Sequence, residues 1–155
     1  MFLAILKWVV ISIVVVTAAF AIYLRTVGHD PAVWHVDPSV SKRTGKPNDY
    51  LIAPEGATTA KPDAIAKVHE TDPKSLLFQF DAIASPQTEV VGGSVDELWI
   101  TYAQRTMIMG YPDYITVRAV TAGTGSALII WSRSRYGHSD FGVNKARIED
   151  WLSKM

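Results

Sequence analysis

Trp8 to Leu24, WVVISIVVVTAAFAIYL, carries no charge, and Met1 to Leu6 extends this apolar run across the single Lys7. A helix needs about 20 apolar residues to cross hydrocarbon. Val and Ile form helices poorly in water, but lipid forces each backbone N–H and C=O to be satisfied within the segment, which enforces one. Trp8 and Tyr23 stand where two interfacial aromatic belts fall. The pattern predicts a transmembrane anchor over residues 1–24. Ala19-Phe20-Ala21 has the form of a signal cleavage site, yet a signal carries its charges ahead of the apolar core, and Met1–Leu6 is apolar. An uncleaved anchor is the favoured reading.

After the anchor, periodicity stops. Prolines at 31, 38, 47 and 54 and glycines at 28, 45 and 56 break any run of period 3.6 or 2, so residues 25–60 read as an extended tether. Trp34, Val36, Tyr50, Leu51 and Ile52 are too apolar for a fully solvated linker, which implies that parts of it lie against the domain or the headgroups.

Order returns from residue 61. Pro62 and Asp63 suit a first helical turn, with Ile65 and Val68 facing inward and Pro73 ending the run, which predicts a short helix over 62–71. Leu76, Phe78, Phe80, Ala82 and Ala84 alternate with polar neighbours and predict a strand. Further strands are expected at Thr88–Val91 and within Leu98–Met109. The clearest hairpin joins Tyr114–Thr121 to Ser126–Arg135 across Gly123-Thr124-Gly125. A two-residue turn there sets Ala122 opposite Gly125, Val117 opposite Ile130 and Tyr114 opposite Arg133. Ile148, Trp151, Leu152 and Met155 mark the apolar stripe of a terminal helix. Leu128 and Ile130 alternate with Ile129 and Trp131, so both faces of that strand are apolar, and a helix, the tether, the membrane or another subunit must cover the second.

The predicted architecture is α+β: an N-terminal transmembrane helix, then a small antiparallel sheet with flanking helices over residues 61–155. At 155 residues there is room for one anchor and one modest core. Fifteen basic side chains balance fifteen acidic ones, which removes the global positive field that nucleic-acid binding exploits. Cysteine is absent, excluding disulfides, thiolate nucleophiles and cysteine metal sites. His29, Asp30, His35 and Asp37 are the one dense group of metal-capable side chains. Their spacing matches no defined site, and solvated juxtamembrane polarity explains them, so neither metal nor cofactor is assigned.

Two segments carry the most specific order of residues: RTMIMGYPDYITV from Arg105 and SRSRYGHSDFGVNKARIE from Ser132. Arg133-Ser134-Arg135, Gly137, Ser139-Asp140, Gly142-Val143-Asn144, Arg147 and Glu149 together resemble domain-of-unknown-function family 1499, which is widespread in proteobacteria and present in photosynthetic lineages. The resemblance covers about 90 residues, the whole predicted domain. It implies a fold and no catalytic mechanism.

On a strand, Arg133 and Arg135 project to one face with Cα atoms about 6.5 Å apart, letting two guanidinium forks converge on an anion. The strand leads into the terminal helix, whose free N–H groups also favour an anion, with His138, Ser139, Asp140 and Asn144 nearby. A bracing alternative has Arg133 on Tyr114, Arg135 paired with Asp113, Asp140 or Glu149, and Ser139 or Asp140 capping the helix. His138-Ser139-Asp140 holds the residue types of a hydrolytic triad, but adjacent residues seldom place the base between nucleophile and acid. Gly123-Thr124-Gly125 lacks the pattern of a phosphate loop.

The leading reading is a non-enzymatic binding or scaffolding module of the cell envelope, with Arg133, Arg135, His138, Ser139, Asp140 and Asn144 as its recognition site. A membrane hydrolase or lyase using His138 or Asp113 as general base is one alternative, and a structural subunit of a membrane complex is another. The expected partners are the bilayer and either a membrane protein or a small anionic ligand. A short N-terminal tail normally stays in the cytoplasm, which predicts a single-pass protein with its domain outside, periplasmic in a bacterium.

Overall fold

The computed structural model describes all 155 residues. Helix α1, Phe2–Thr26, is the one helix long and apolar enough to cross a membrane, with a mean hydropathy of 2.5 in its most apolar stretch. At about 1.5 Å per residue it reaches about 37 Å. Helix α2, Pro31–Trp34, is a single turn started by Asp30, whose carboxylate accepts the Ala32 N–H at 2.9 Å. There follow β1 (Asp49–Ala53), β2 (Ala64–Ile65), α3 (Pro73–Ala84), a 3₁₀ turn at Ser85–Gln87, β3 (Glu89–Ser94), β4 (Trp99–Arg105), β5 (Pro112–Ala122), β6 (Gly125–Ser134) and α4 (Val143–Leu152). The strands form one sheet in the order β2-β1-β6-β5-β4-β3. Its pairs are antiparallel except β1–β2. The class is α+β.

The β5–β6 hairpin has the register expected from its turn, with Ala122 opposite Gly125, Val117 opposite Ile130 and Tyr114 opposite Arg133. Gly123 supplies a φ of 59° in the turn. Gly125 is needed for close approach instead, since a Cβ there would lie 2.1 Å from the carbonyl oxygen of His69, which pairs with Ser126 at this edge.

Two predicted elements are corrected. Residues 62–71 form no helix; Ala64 and Ile65 run parallel to β1, and the Asp63 and Ala66 N–H groups donate to the Leu51 and Ala53 carbonyls. Ile65 and Val68 are exposed, so a helix here would have no apolar face to bury, whereas an extended chain satisfies its backbone against β1. Residues 76–84 form no strand either. Leu76, Leu77, Phe80 and Ala84 are fully buried at helical spacing, and Phe78, which strand alternation would bury, is 63% exposed. Asp72 and Pro73 begin this helix: the Asp72 carboxylate accepts the Ser75 N–H at 3.0 Å, and proline takes the first position.

Helices α3 and α4 cover one face of the sheet. Between them lie Ile52, Ile100, Ile115, Val117, Ile130 and Ile148, with the Phe80 and Trp151 rings edge-to-face at 5.7 Å. The other face is covered by the chain between α1 and the sheet. Within residues 25–60, Asp49–Ala53 supplies β1, while Val36, Ala57 and Ala60 pack on Leu51, Ala53, Ile129 and Trp131. Trp34 stacks on Tyr114 at 3.9 Å between centroids, and His35 on Trp99 at 4.0 Å. The doubly apolar strand β6 is thus sandwiched between two helices and a strap.

Candidate functional site

Strand alternation sends the polar residues at the end of β6 to opposite sides of the sheet. Ser132 faces the helices, and its hydroxyl donates to Asn144 Oδ1 at 2.5 Å. Arg133 and Arg135 face the strap. The Arg133 guanidinium lies 4.0 Å from the Trp131 ring centroid, donates to Thr116 Oγ1 at 3.0 Å and donates to the Trp34 carbonyl at 2.7 Å. Arg135 sits over Trp34 at 5.5 Å and donates to the Tyr114 hydroxyl at 3.1 Å. These side chains line a cleft of about 330 Å³ with Thr44, Lys46 and Asn48 along its rim.

The charge in this cleft is one-sided. Lys46, Arg133 and Arg135 line it with no aspartate or glutamate, and none of the three forms an ion pair. Arg133 is 3% exposed, and burial lowers its pKa to about 10, which leaves it charged at neutral pH. The carboxylate of Asp49, the cross-strand neighbour of Arg133, is taken by Arg43 and Trp131. Burial works against its charge, but hydrogen bonds from Arg43 and the Trp131 indole hold its pKa below the ordinary value. Burial pushes the Tyr114 phenol up, so it faces the arginines as a neutral hydroxyl.

A second polar cluster lies across the sheet, beneath α4, and it is closed. Arg147 donates to Asp113 Oδ2 at 2.7 Å with both side chains nearly buried, to Asn144 Oδ1 at 2.7 Å, and to Gln104 Oε1. The Asn144 amide donates to Asp140 Oδ2 at 2.8 Å, Ser134 Oγ at 3.0 Å and the Asn48 carbonyl at 3.2 Å. The Asp140 carboxylate also accepts the Asn144 and Gly142 N–H groups, so it performs the capping expected of it although Gly142 is the N-cap. Here donor, acceptor and charge are matched.

The six residues singled out from sequence therefore do not converge on one site. Arg133 and Arg135 share the cleft; Asn144 and Asp140 brace α4; His138 and Ser139 lie exposed on the connecting loop, where Ser139 Oγ accepts the Phe141 N–H at 3.2 Å. His138 makes no side-chain hydrogen bond, and Asp113 pairs with Arg147 instead of Arg135. Lys46, Asn48, Trp34 and Trp131 complete the cleft, and sequence reasoning placed none of them there. The surplus apolarity of Trp34 in a proline-rich segment was their one signal.

His29, Asp30, His35 and Asp37 take separate partners. Arg105 donates to His29 Nε2 at 2.7 Å, so its proton sits on Nδ1 and donates to the Tyr114 hydroxyl at 2.9 Å. His35 Nδ1 meets Thr101 Oγ1 at 2.9 Å, Asp30 starts α2, and Asp37 pairs with Arg118. Burial lowers the pKa of both histidines. They act as neutral clasps of the strap.

Fold and cleft together define a class: a small α+β domain behind an apolar helix, its sheet shielded on one side by helices and on the other by a strap that frames a cationic cleft. The chain belongs to the family described as Protein of unknown function (DUF1499), whose model matches residues 31–155, strap included. No curated protein matches it.

Proposed function

We propose that this protein is a single-pass membrane-anchored module that binds a small anionic ligand in the cleft of Lys46, Arg133 and Arg135, without catalysing its conversion. The observation that carries the reading is a buried guanidinium that forms no ion pair, its cross-strand neighbour Asp49 being held by Arg43 and the Trp131 indole. An isolated buried charge costs several kcal/mol, and an incoming carboxylate or phosphate that accepts from Arg133 and Arg135 offsets that cost. The Trp34 and Trp131 rings lower the local dielectric on the walls of the cleft and so strengthen the attraction. A volume of about 330 Å³ suits a small molecule. The general-base alternative has less support: His138 has no partner to orient it, and the Asp113 carboxylate is held by Arg147.

The anchor reading rests on the length and hydropathy of α1 and on its contact with the domain. The Phe20 ring lies 6.3 Å from Tyr111, a contact that cleavage after Ala21 would remove. A short N-terminal tail in the cytoplasm puts the domain outside.

Titration of the vesicle-reconstituted protein with inorganic phosphate, followed by tryptophan emission, tests the cleft, because Trp34 and Trp131 form its walls. A saturable change that disappears in Lys46→Glu/Arg135→Glu, with unfolding unaltered, is the expected result. A wild-type protein indistinguishable from that folded variant would return the arginines to bracing.

A further inference from the structure

The anchor does not leave the domain on a free linker. Arg25, in the last turn of α1, donates to the Met107 and Ile108 carbonyls at 2.7 Å each, and Arg105 donates back to the Leu24 and Val27 carbonyls at 2.5 and 2.8 Å. A Cβ at Gly110 would lie 2.5 Å from Arg25 Cγ, so helix and loop approach as closely as glycine allows. The helix end and the loop between β4 and β5 form one unit.

That unit carries apolar side chains with nothing over them. Met107, Ile108 and Phe141 are 91%, 84% and 95% exposed. They are not on slack chain. In the β4–β5 loop Thr106 closes the turn with two bonds: the Gly110 N–H donates to the Thr106 carbonyl, and the Thr106 N–H donates to the Tyr111 carbonyl, both at 2.9 Å. On the neighbouring loop Phe141 is held at a φ of 53°, a left-handed conformation costly for a bulky residue, between N–H groups bound to Ser139 and Asp140. Phe141 lines a cavity of about 560 Å³ whose walls also include Phe20 of α1, Tyr111 and Tyr136.

Depth follows from the helix. Tyr23 stands one residue before the end of the uncharged run Trp8–Leu24, at the headgroup level expected of an aromatic belt. Phe20 lies one turn, about 4.5 Å, deeper. Tyr111 contacts Phe20, and Tyr136 lies 6.0 Å from Tyr111, so both tyrosines extend that belt into the domain. We infer that Met107, Ile108 and Phe141 insert into the same leaflet that receives the end of α1, so that the domain is docked on the bilayer by two loops beside its anchor. The occupant of this apolar surface is the lipid itself. Burying three such side chains orients the sheet, with the Pro112 end of β5 at the membrane and the Gly123–Thr124 turn away from it by up to about 35 Å, the length of an eleven-residue strand.

The inference rests on the anchor reading above and is independent of the anion cleft. The chain has no cysteine, so single cysteines placed by Val14→Cys, Ile108→Cys, Phe141→Cys and Thr124→Cys each take one environment-sensitive fluorophore on the full chain in phosphatidylcholine vesicles. Labels at 14, 108 and 141 are expected to emit to the blue and to be quenched several-fold more by nitroxide lipids than the label at the exposed turn residue Thr124. A buried label at 14 with labels at 108 or 141 matching Thr124 overturns the docking and leaves the anchor. A label at 14 that also matches Thr124 overturns both.

Discussion

The two polar clusters on either side of the sheet, one beneath α4 and one in the cleft under the strap, are built differently. Beneath α4 each buried charge has its counter-charge: Arg147 meets Asp113, and Asn144 connects Asp140, Ser132, Ser134 and Asn48. In the cleft under the strap, Arg133 and Arg135 meet aromatic faces and neutral oxygens, and neither they nor Lys46 form an ion pair, although Arg43–Asp49 and Arg118–Asp37 pair elsewhere on that side. A matched network adds specificity to a core and leaves nothing for a ligand to satisfy. In the unmatched one, neutral partners satisfy the guanidinium hydrogen bonds but supply no counter-charge, and the proposed anion would supply it. Arginine is present on both sides, so residue type alone does not distinguish bracing from recognition.

The contrast is upset most severely from the closed side. Arg147→Met leaves Asp113 buried and unpaired and is expected to cost about 3–5 kcal/mol, read as a lowered denaturant midpoint. Trp151→Ala, which empties the space beside Phe80, belongs in the same range of about 3–5 kcal/mol. The matching change in the cleft separates the clusters: Arg133→Met leaves only neutral acceptors unsatisfied and no stranded charge, and should cost about 1–2 kcal/mol, less than Arg147→Met, while abolishing the phosphate response. Equal destabilisation by Arg133→Met and Arg147→Met would erase the distinction.

Smaller effects concern the strap. Trp34→Ala loses the stack on Tyr114 and the contact with Arg135, at about 1–2 kcal/mol. Hydrogen exchange should speed up in residues 28–41 while α3 and the β5–β6 hairpin stay protected. The smallest expected effect is that of pH. His29 faces Arg105, Arg135 and Glu89, His35 faces Glu97, and burial depresses both pKa values below 6.5. In the released strap they protonate near 6.5, while in the clasped strap they resist protonation. Clasping is therefore complete above that pH and weakens as pH falls through the depressed folded values. Amide exchange in the strap should rise between about pH 7 and 5, and His29→Gln/His35→Gln should flatten that rise.

Much of the fold is legible in the residues. The hairpin register follows from one glycine-flanked turn, because a turn of known length sets each cross-strand pair after it. The terminal helix follows from Ile148, Trp151 and Leu152. The segment 73–84 misleads for a definable reason: Leu76, Phe80 and Ala84 satisfy both a period of two and a spacing of four. Leu77 and the Asp72-Pro73 start break the tie toward a helix. Of the candidate site, the two arginines on one face were readable from strand alternation. Lys46, Trp34 and Asn48 reach them from about 90 or 100 residues earlier in the chain, a distance across which no local period carries information.

Residue order alone specifies a helix able to cross a membrane, the α+β class, the β5–β6 pairing and the doubly apolar character of β6. These are local consequences of backbone geometry and of which side chains water rejects. What covers the second face of β6, which arginine finds a carboxylate, and which apolar loops stand beside the end of α1 emerge only in the folded chain. Those outcomes depend on segments far apart in sequence competing for the same surface and the same counter-charges, and the winner is set by packing in three dimensions.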